Sequence, residues 1–264
     1  MSDAPEHPAA PDAAPAEAPA PRVLRAVVSY DGTDFSGWQR QPGMRTVQGC
    51  LEDGIRDLLG EAVFVRGAGR TDAGVHADGQ VASFALASRI PPRGLLKGLN
   101  SKLPLDVALV DVAEAAPGFD ARFSARGKVY RYTVWSHFVR SPLRARRAWH
   151  VREPLDVEAI RTAAAALVGD HDFRAFRASD CDRRTTRRVV RGIDVDRQGA
   201  VLTIDVEATA FLKNMVRILV GTLIDVGRGR LPPDAVGRML ATGDRTIGGM
   251  TAPPQGLTLL RVIY

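Results

Sequence analysis

Gly67-Ala68-Gly69-Arg70-Thr71-Asp72-Ala73-Gly74-Val75-His76-Ala77 is the stretch on which the reading of this chain turns. A strand is expected before it, over Ala62–Arg66, and another after it, over Gln80–Leu86. Three glycines within eight residues predict a loop whose backbone turns tightly or lies close against a partner. Into that loop are packed a cation, a hydroxyl, a carboxylate and an imidazole. Loops held between rigid strands are where binding and catalytic groups concentrate.

Generic glycine-rich motifs do not fit it. A dinucleotide fingerprint would place its third glycine at position 72, which is Asp72. Gly69 and Gly74 have the spacing of a phosphate-binding loop, but Val75 stands where lysine must reach the phosphates. Asp72, His76 and Asp78 could begin a metal site, yet nothing in the sequence brings His7, His137, His150 or His171 to them. Metal therefore ranks below the other readings. The bland alternative is a turn capped by Asp72 and paired with Arg70 at the surface.

Outward from the loop, Leu24–Tyr30 reads as a first strand. Thr46 is placed to cap a helix ending at Leu59, with Val47, Leu51, Ile55, Leu58 and Leu59 on one face. A helix over Leu95–Leu103 and a strand over Val107–Val112 follow. Lys128–Ser136 alternates as a half-buried strand, and Asp156–Leu167 reads as a helix ended by Gly169. Val189–Val195 and Val201–Ala208 flank a turn over 196–199. Lys213–Val226 reads as an amphipathic helix, with Met215, Ile218, Leu219, Thr222, Leu223 and Val226 on its apolar face. A helix over Pro233–Leu240 and a strand over Leu257–Ile263 close the chain. This order predicts an α+β fold: two similar α/β halves, over 22–125 and 126–264, with mainly antiparallel sheets flanked by helices and a cleft between them.

Residues 1–21 are set apart by composition. Alanine and proline dominate, with four acids and no Lys or Arg, so the segment reads as a disordered acidic leader with no signal-peptide pattern. The chain of 264 residues carries +6; without the four leader acids its body carries +10. Such a balance favours a polyanionic partner, and no apolar run reaches the length of a membrane span, so nucleic acid is preferred to a membrane surface. Arg183, Arg184, Arg187, Arg188 and Arg191 put five cations in nine residues, and Arg140–Arg152 holds five more around Trp149 and His150. Either run could be a solvated face, or a grip on phosphates. Cys50 and Cys181 lie far apart, which fits a reduced cytoplasm without a disulfide.

Further blocks recur with the loop: Tyr30-Asp31-Gly32 with Gly37-Trp38-Gln39-Arg40-Gln41, Thr46-Val47-Gln48, Phe119–Ala125 before Tyr130-Arg131-Tyr132, His171-Asp172-Phe173, and Phe211–Arg217. From about Arg25 onward the chain closely resembles the tRNA pseudouridine synthase A family, whose active-site motif matches Gly69–Ala77. It departs at Ile218, where many members carry asparagine. The resemblance implies isomerisation of uridine to pseudouridine at positions 38, 39 and 40 of the tRNA anticodon stem-loop, with no cofactor and no metal, by a homodimer. It nominates Asp72 as the catalytic carboxylate and Arg217 as the cation beside it. Arg70 would fill the space left by the flipped uridine, Tyr130 would stack on the uracil, and Leu257 would line the pocket. Arg183, Arg184, Arg187 and Arg188 would contact RNA. Two rivals remain at this point: an RNA-binding module without catalysis, and a metal-dependent nuclease using Asp72 and His76.

Overall fold

The computed structural model describes residues 20–264. The leader expected over 1–21 lies, apart from Ala20 and Pro21, outside the described residues. In chain order the elements are β1 (Arg22–Tyr30), α1 (Val47–Leu59), β2 (Arg66–Gly67), β3 (His76–Leu86), α2 (Pro92–Asn100), β4 (Val107–Glu114) and β5 (Gly127–Ser136). They continue as β6 (Trp149–Val151), α3 (Val157–Ala165), β7 (Gly169–Asp172), β8 (Arg187–Gln198), β9 (Val201–Ala208), α4 (Met215–Gly227), α5 (Ala235–Thr242) and β10 (Leu257–Ile263).

The α+β class and the mainly antiparallel pairing are as expected. The strands run into one continuous sheet, ordered β4-β1-β3-β10-β5-β9-β8-β7. Its seam is made by the C-terminal strand. β10 lies antiparallel to β5 along Leu257–Ile263 and parallel to β3 through Thr258↔His76 and Leu259↔Ala77. The last residues of the chain are thereby locked against the strand that leaves the glycine-rich loop.

Local chemistry explains most of the boundaries. Thr46 caps α1 through its hydroxyl, which accepts the Gly49 N–H at 3.3 Å, and Gly60 ends the helix in the left-handed conformation. β1 alternates as a strand with one face in the core, burying Leu24, Ala26, Val28 and Tyr30. α4 departs from its expected amphipathic form. Val216, Val220 and Ile224 are buried as well as the expected face, so the helix is apolar nearly all round and runs through the core. Ile218, at the position where the resemblance breaks, is one of these core residues, 2% exposed.

Several elements differ from the sequence reading. The strand expected over Ala62–Arg66 shrinks to Arg66–Gly67, paired with β3 through Arg66↔Ser83 and Gly67↔Ala82; the Val65 N–H goes to Glu52 Oε1 at 3.1 Å instead. α3 stops at Ala165, where Leu167 and Val168 donate to Ala164 and Ala165 in turns, and Gly169 opens β7 rather than ending the helix. The β8–β9 hairpin turns on Gly199-Ala200, so β8 absorbs the residues assigned to the turn. β6 and β7, three and four residues long, were not expected at all.

Candidate active site

The glycine-rich loop is pinned along its length before Asp72 is reached. Gln80, fully buried on β3, donates from Nε2 to the Gly69 carbonyl at 2.9 Å. The Thr71 hydroxyl meets the Tyr30 phenol at 2.8 Å, and the Thr71 carbonyl accepts the Trp38 N–H at 3.1 Å. Burial pushes the Tyr30 phenol up to about 12, so this contact involves a neutral hydroxyl. Just past the loop's turn, the Val75 N–H closes onto the Asp72 carbonyl at 3.2 Å. The segment before α1 lies directly against this backbone: Gly37 has φ +92°, and a Cβ there would sit 2.7 Å from the Thr71 carbonyl oxygen. Gly37→Ala is therefore expected to destabilise the fold by more than about 2 kcal/mol, read as a lower urea midpoint.

Asp72 emerges half-buried into a cleft of about 1060 Å³. Across from it stands Arg217, from the first turn of α4, with Nη1 3.7 Å from Asp72 Oδ2. Arg217 is the single cation of this largely apolar helix and is firmly oriented. Its Nε donates to the Ala252 carbonyl at 2.8 Å and its Nη1 to Asn214 Oδ1 at 2.9 Å. Asn214 itself has φ +60°, a left-handed conformation that asparagine tolerates better than most residues, and it turns its side chain to Arg217 instead of capping the helix.

The structure places the other nominated residues unequally. Arg70, exposed, lines the cleft and donates from Nε to Gln39 Oε1 at 3.0 Å. Tyr130 reaches the cleft from β5, 7% exposed and edge-on to Phe211 with ring centres 5.0 Å apart. Burial, with the nearby Asp72 charge adding to it, raises its pKa, so it stands in the cleft as a neutral phenol. Leu257, the first residue of β10, lies in the apolar wall. Arg183 and Arg188 line the cleft, whereas Arg184 and Arg187 do not; Arg187 pairs with Asp170 at 3.2 Å. Of the arginine run over 140–152, Arg146 pairs with Asp34 and Arg147 with Asp31, and none lines the cleft.

His76 does not join Asp72. It is 1% exposed; its Nδ1 accepts the Gly32 N–H at 3.1 Å and its Nε2 faces the Gln255 carbonyl at 3.2 Å, which makes it a neutral, Nε2-protonated ring. Burial lowers its pKa below the usual 6.5, although the Asp31 carboxylate 3.2 Å from Nδ1 opposes this and Arg147 adds to it. The unfolded chain therefore binds a proton below pH 6.5 that the folded chain refuses, and stability falls as pH drops below that value. The urea midpoint is expected to decrease between pH 7.5 and pH 5.5, and His76→Gln to flatten that decrease.

Tyr30, Gln80 and Asn214 position the loop or the cation, yet the sequence reading gave them no role. Tyr30 and Asn214 lie in the blocks that carry the family resemblance; Gln80 carries no local signal.

A family model described as tRNA pseudouridine synthase matches residues 26–124 and 163–264. A tRNA pseudouridine synthase A of Myxococcus xanthus is 50% identical over 242 residues, covering 91% of each chain. That of Pelobacter propionicus is 48% identical over 243 residues, and that of Geotalea uraniireducens 47% over 243; each covers 92% of this chain and the whole of the relative. The first matched segment carries the loop with Asp72 and the second carries α4 with Arg217, so the two sides of the cleft come from the two regions that define the match. With relatives near half identical along almost their entire length, the chain belongs to the tRNA pseudouridine synthase family.

Proposed function

We infer that this chain isomerises uridine to pseudouridine in tRNA, with the three uridines at positions 38, 39 and 40 of the anticodon stem-loop as its targets. The observation that carries the site assignment is the pair Asp72–Arg217, set 3.7 Å apart across the cleft by a pinned loop and a buried helix. The reaction breaks the N1–C1′ bond, rotates the uracil and forms a C5–C1′ bond; a proton leaves C5 and N1 regains one. No electrons or groups are exchanged with another molecule. Positive charge grows at C1′ as the glycosidic bond breaks, and the Asp72 carboxylate is placed to stabilise it. Arg217 faces that carboxylate and is placed to orient it.

A stacked uridine reaches Asp72 only when extruded from the RNA. Arg70, at the cleft mouth and steadied by Gln39, takes the vacated place in this reading. Tyr130 and Leu257 bound the uracil, and the neutral Tyr130 phenol is a candidate to relay the C5 proton. Arg183 and Arg188 contact the RNA backbone from the rim, with Arg184 and Arg187 farther out. The division into halves over 22–125 and 126–264, the homodimer and a cytoplasmic setting belong to the same proposal; among the described residues no helix is long and apolar enough to cross a membrane. The test uses tRNA carrying tritium at C5 of uridine. Release of tritium to water by the wild type supports the reading, and full retention at saturating enzyme contradicts it.

A further inference from the structure

The cations of the cleft fall into two sets. Arg66, Lys213 and Arg217 each face a carboxylate, from Asp120, Asp180 and Asp72. Lys128, Arg122, Arg70, Arg183 and Arg188 do not: among the described residues none of these five forms a salt bridge, and Lys128 and Arg122 lie close enough to repel one another. Lys128 is on β5 two residues before Tyr130, and therefore on the same face of the strand. Its aliphatic stem crosses the glycine-rich loop so closely that a Cβ on Gly69 would lie 3.0 Å from Lys128 Cε. Burial, with Arg122 adding to it, lowers the pKa of its ammonium, the signature of a cation lacking an anion.

Next to this pair are two exposed aromatic rings. Phe64 is 61% exposed and Phe123 73% exposed, and both line the cleft. They share one guanidinium, that of Arg66, with Cζ 5.4 Å from the Phe64 ring centre and 5.7 Å from the Phe123 ring centre. Asp120 holds Arg66 in place at 3.0 Å. A single exposed phenylalanine needs no explanation. Two rings fixed around one arginine, beside two cations without anions, have the composition of a single-strand nucleotide site, where bases stack on π-faces and the phosphate meets a cation.

We propose that Phe64, Arg66, Arg122, Phe123 and Lys128 form a second nucleotide subsite, in which Lys128 and Arg122 hold a backbone phosphate beside the reacting uridine and the two rings receive its unstacked neighbour. This rests on the reading of the cleft as an RNA site. It gives that reading a grip on the strand independent of Asp72.

The test measures binding of an RNA hairpin with an unpaired loop by fluorescence anisotropy over a range of salt, together with KM and kcat. Lys128→Met keeps the stem over Gly69 and removes the charge. It is expected to weaken binding about 10-fold and to reduce the slope of log affinity against log salt by about 1. KM should rise more than kcat falls, and Lys128→Arg should restore part of the affinity. Phe64→Ser with Phe123→Ser, both on exposed rings, should weaken the hairpin about 10-fold or more and leave a blunt duplex unaffected. Unchanged affinity and salt slope in Lys128→Met overturns the proposal. So does a double-serine variant whose only change is its oligomeric state in sedimentation, because the rings would then cover a protein partner. If the wild type binds the hairpin yet forms no pseudouridine, the functional reading fails while the affinity comparison still decides the subsite.

Discussion

Asp72→Asn is expected to lower the rate of pseudouridine formation by at least about 1000-fold, the scale on which removal of an essential catalytic group acts. The substitution keeps the size of the side chain and removes its charge. Because the Asp72 side chain is 36% exposed and its ion pair with Arg217 is long at 3.7 Å, the fold should barely register the change. A shift in melting temperature within about 2 °C is expected, as for other substitutions at accessible positions. RNA affinity should stay within a few-fold of wild type, since the proposed phosphate contacts come from other side chains. Single-turnover tritium release and anisotropy on the same preparation separate these effects. A variant that retained activity within about 10-fold would remove the carboxylate from the chemistry.

Arg217→Met is the second large effect, and it differs in kind. Arg217 touches three partners at once: the Asp72 carboxylate, the Ala252 carbonyl and the Asn214 side chain. Losing the cation opposite Asp72 should lower kcat by about 100-fold, the cost typical of removing one preorganised charge or donor from an active site. The carbonyl and amide left without a donor should also cost about 1–2 kcal/mol of stability, because Arg217 is mostly buried. Arg217→Lys should recover little of the rate. A single ammonium cannot reproduce the planar fork that reaches Ala252 and Asn214 together. Activity and urea denaturation measured side by side check both parts, and a fully stable, fully active methionine variant would contradict the assignment.

Much of this was readable before any coordinates, and the reasons are local. Thr46 announces the start of α1, Lys128–Ser136 alternates cleanly, and Leu257–Ile263 is a strand with the bounds expected. These features depend on neighbours a few residues away. What the sequence withheld depends on distant ones. That β10 sits between β3 and β5, bringing Leu257 to the cleft, follows from pairings far apart in the chain. Ala62–Val65 has strand composition, but the Val65 N–H is taken by the Glu52 carboxylate of α1; the segment stays irregular, with Phe64 exposed. That Asp31 and Asp34 meet two of the arginines of 140–152 is likewise set by residues more than a hundred positions away. Lys128 shows the converse: its sequence context is unremarkable, and it is its packing over Gly69, half-buried and without a carboxylate, that marks it out.

The central claim is that Asp72, opposed by Arg217 across the cleft, performs an isomerisation that needs nothing beyond the protein and its RNA. It is tested most directly by incubating purified wild type and Asp72→Asn with an unmodified tRNA transcript, in EDTA and without added cofactor. The RNA is then digested and its nucleosides are separated chromatographically, since pseudouridine and uridine have the same mass. The account predicts pseudouridine from the wild type at positions 38, 39 or 40 and none from Asp72→Asn at equal occupancy of RNA. Unmodified tRNA after incubation with saturating wild type, or equal pseudouridine from both proteins, would contradict it.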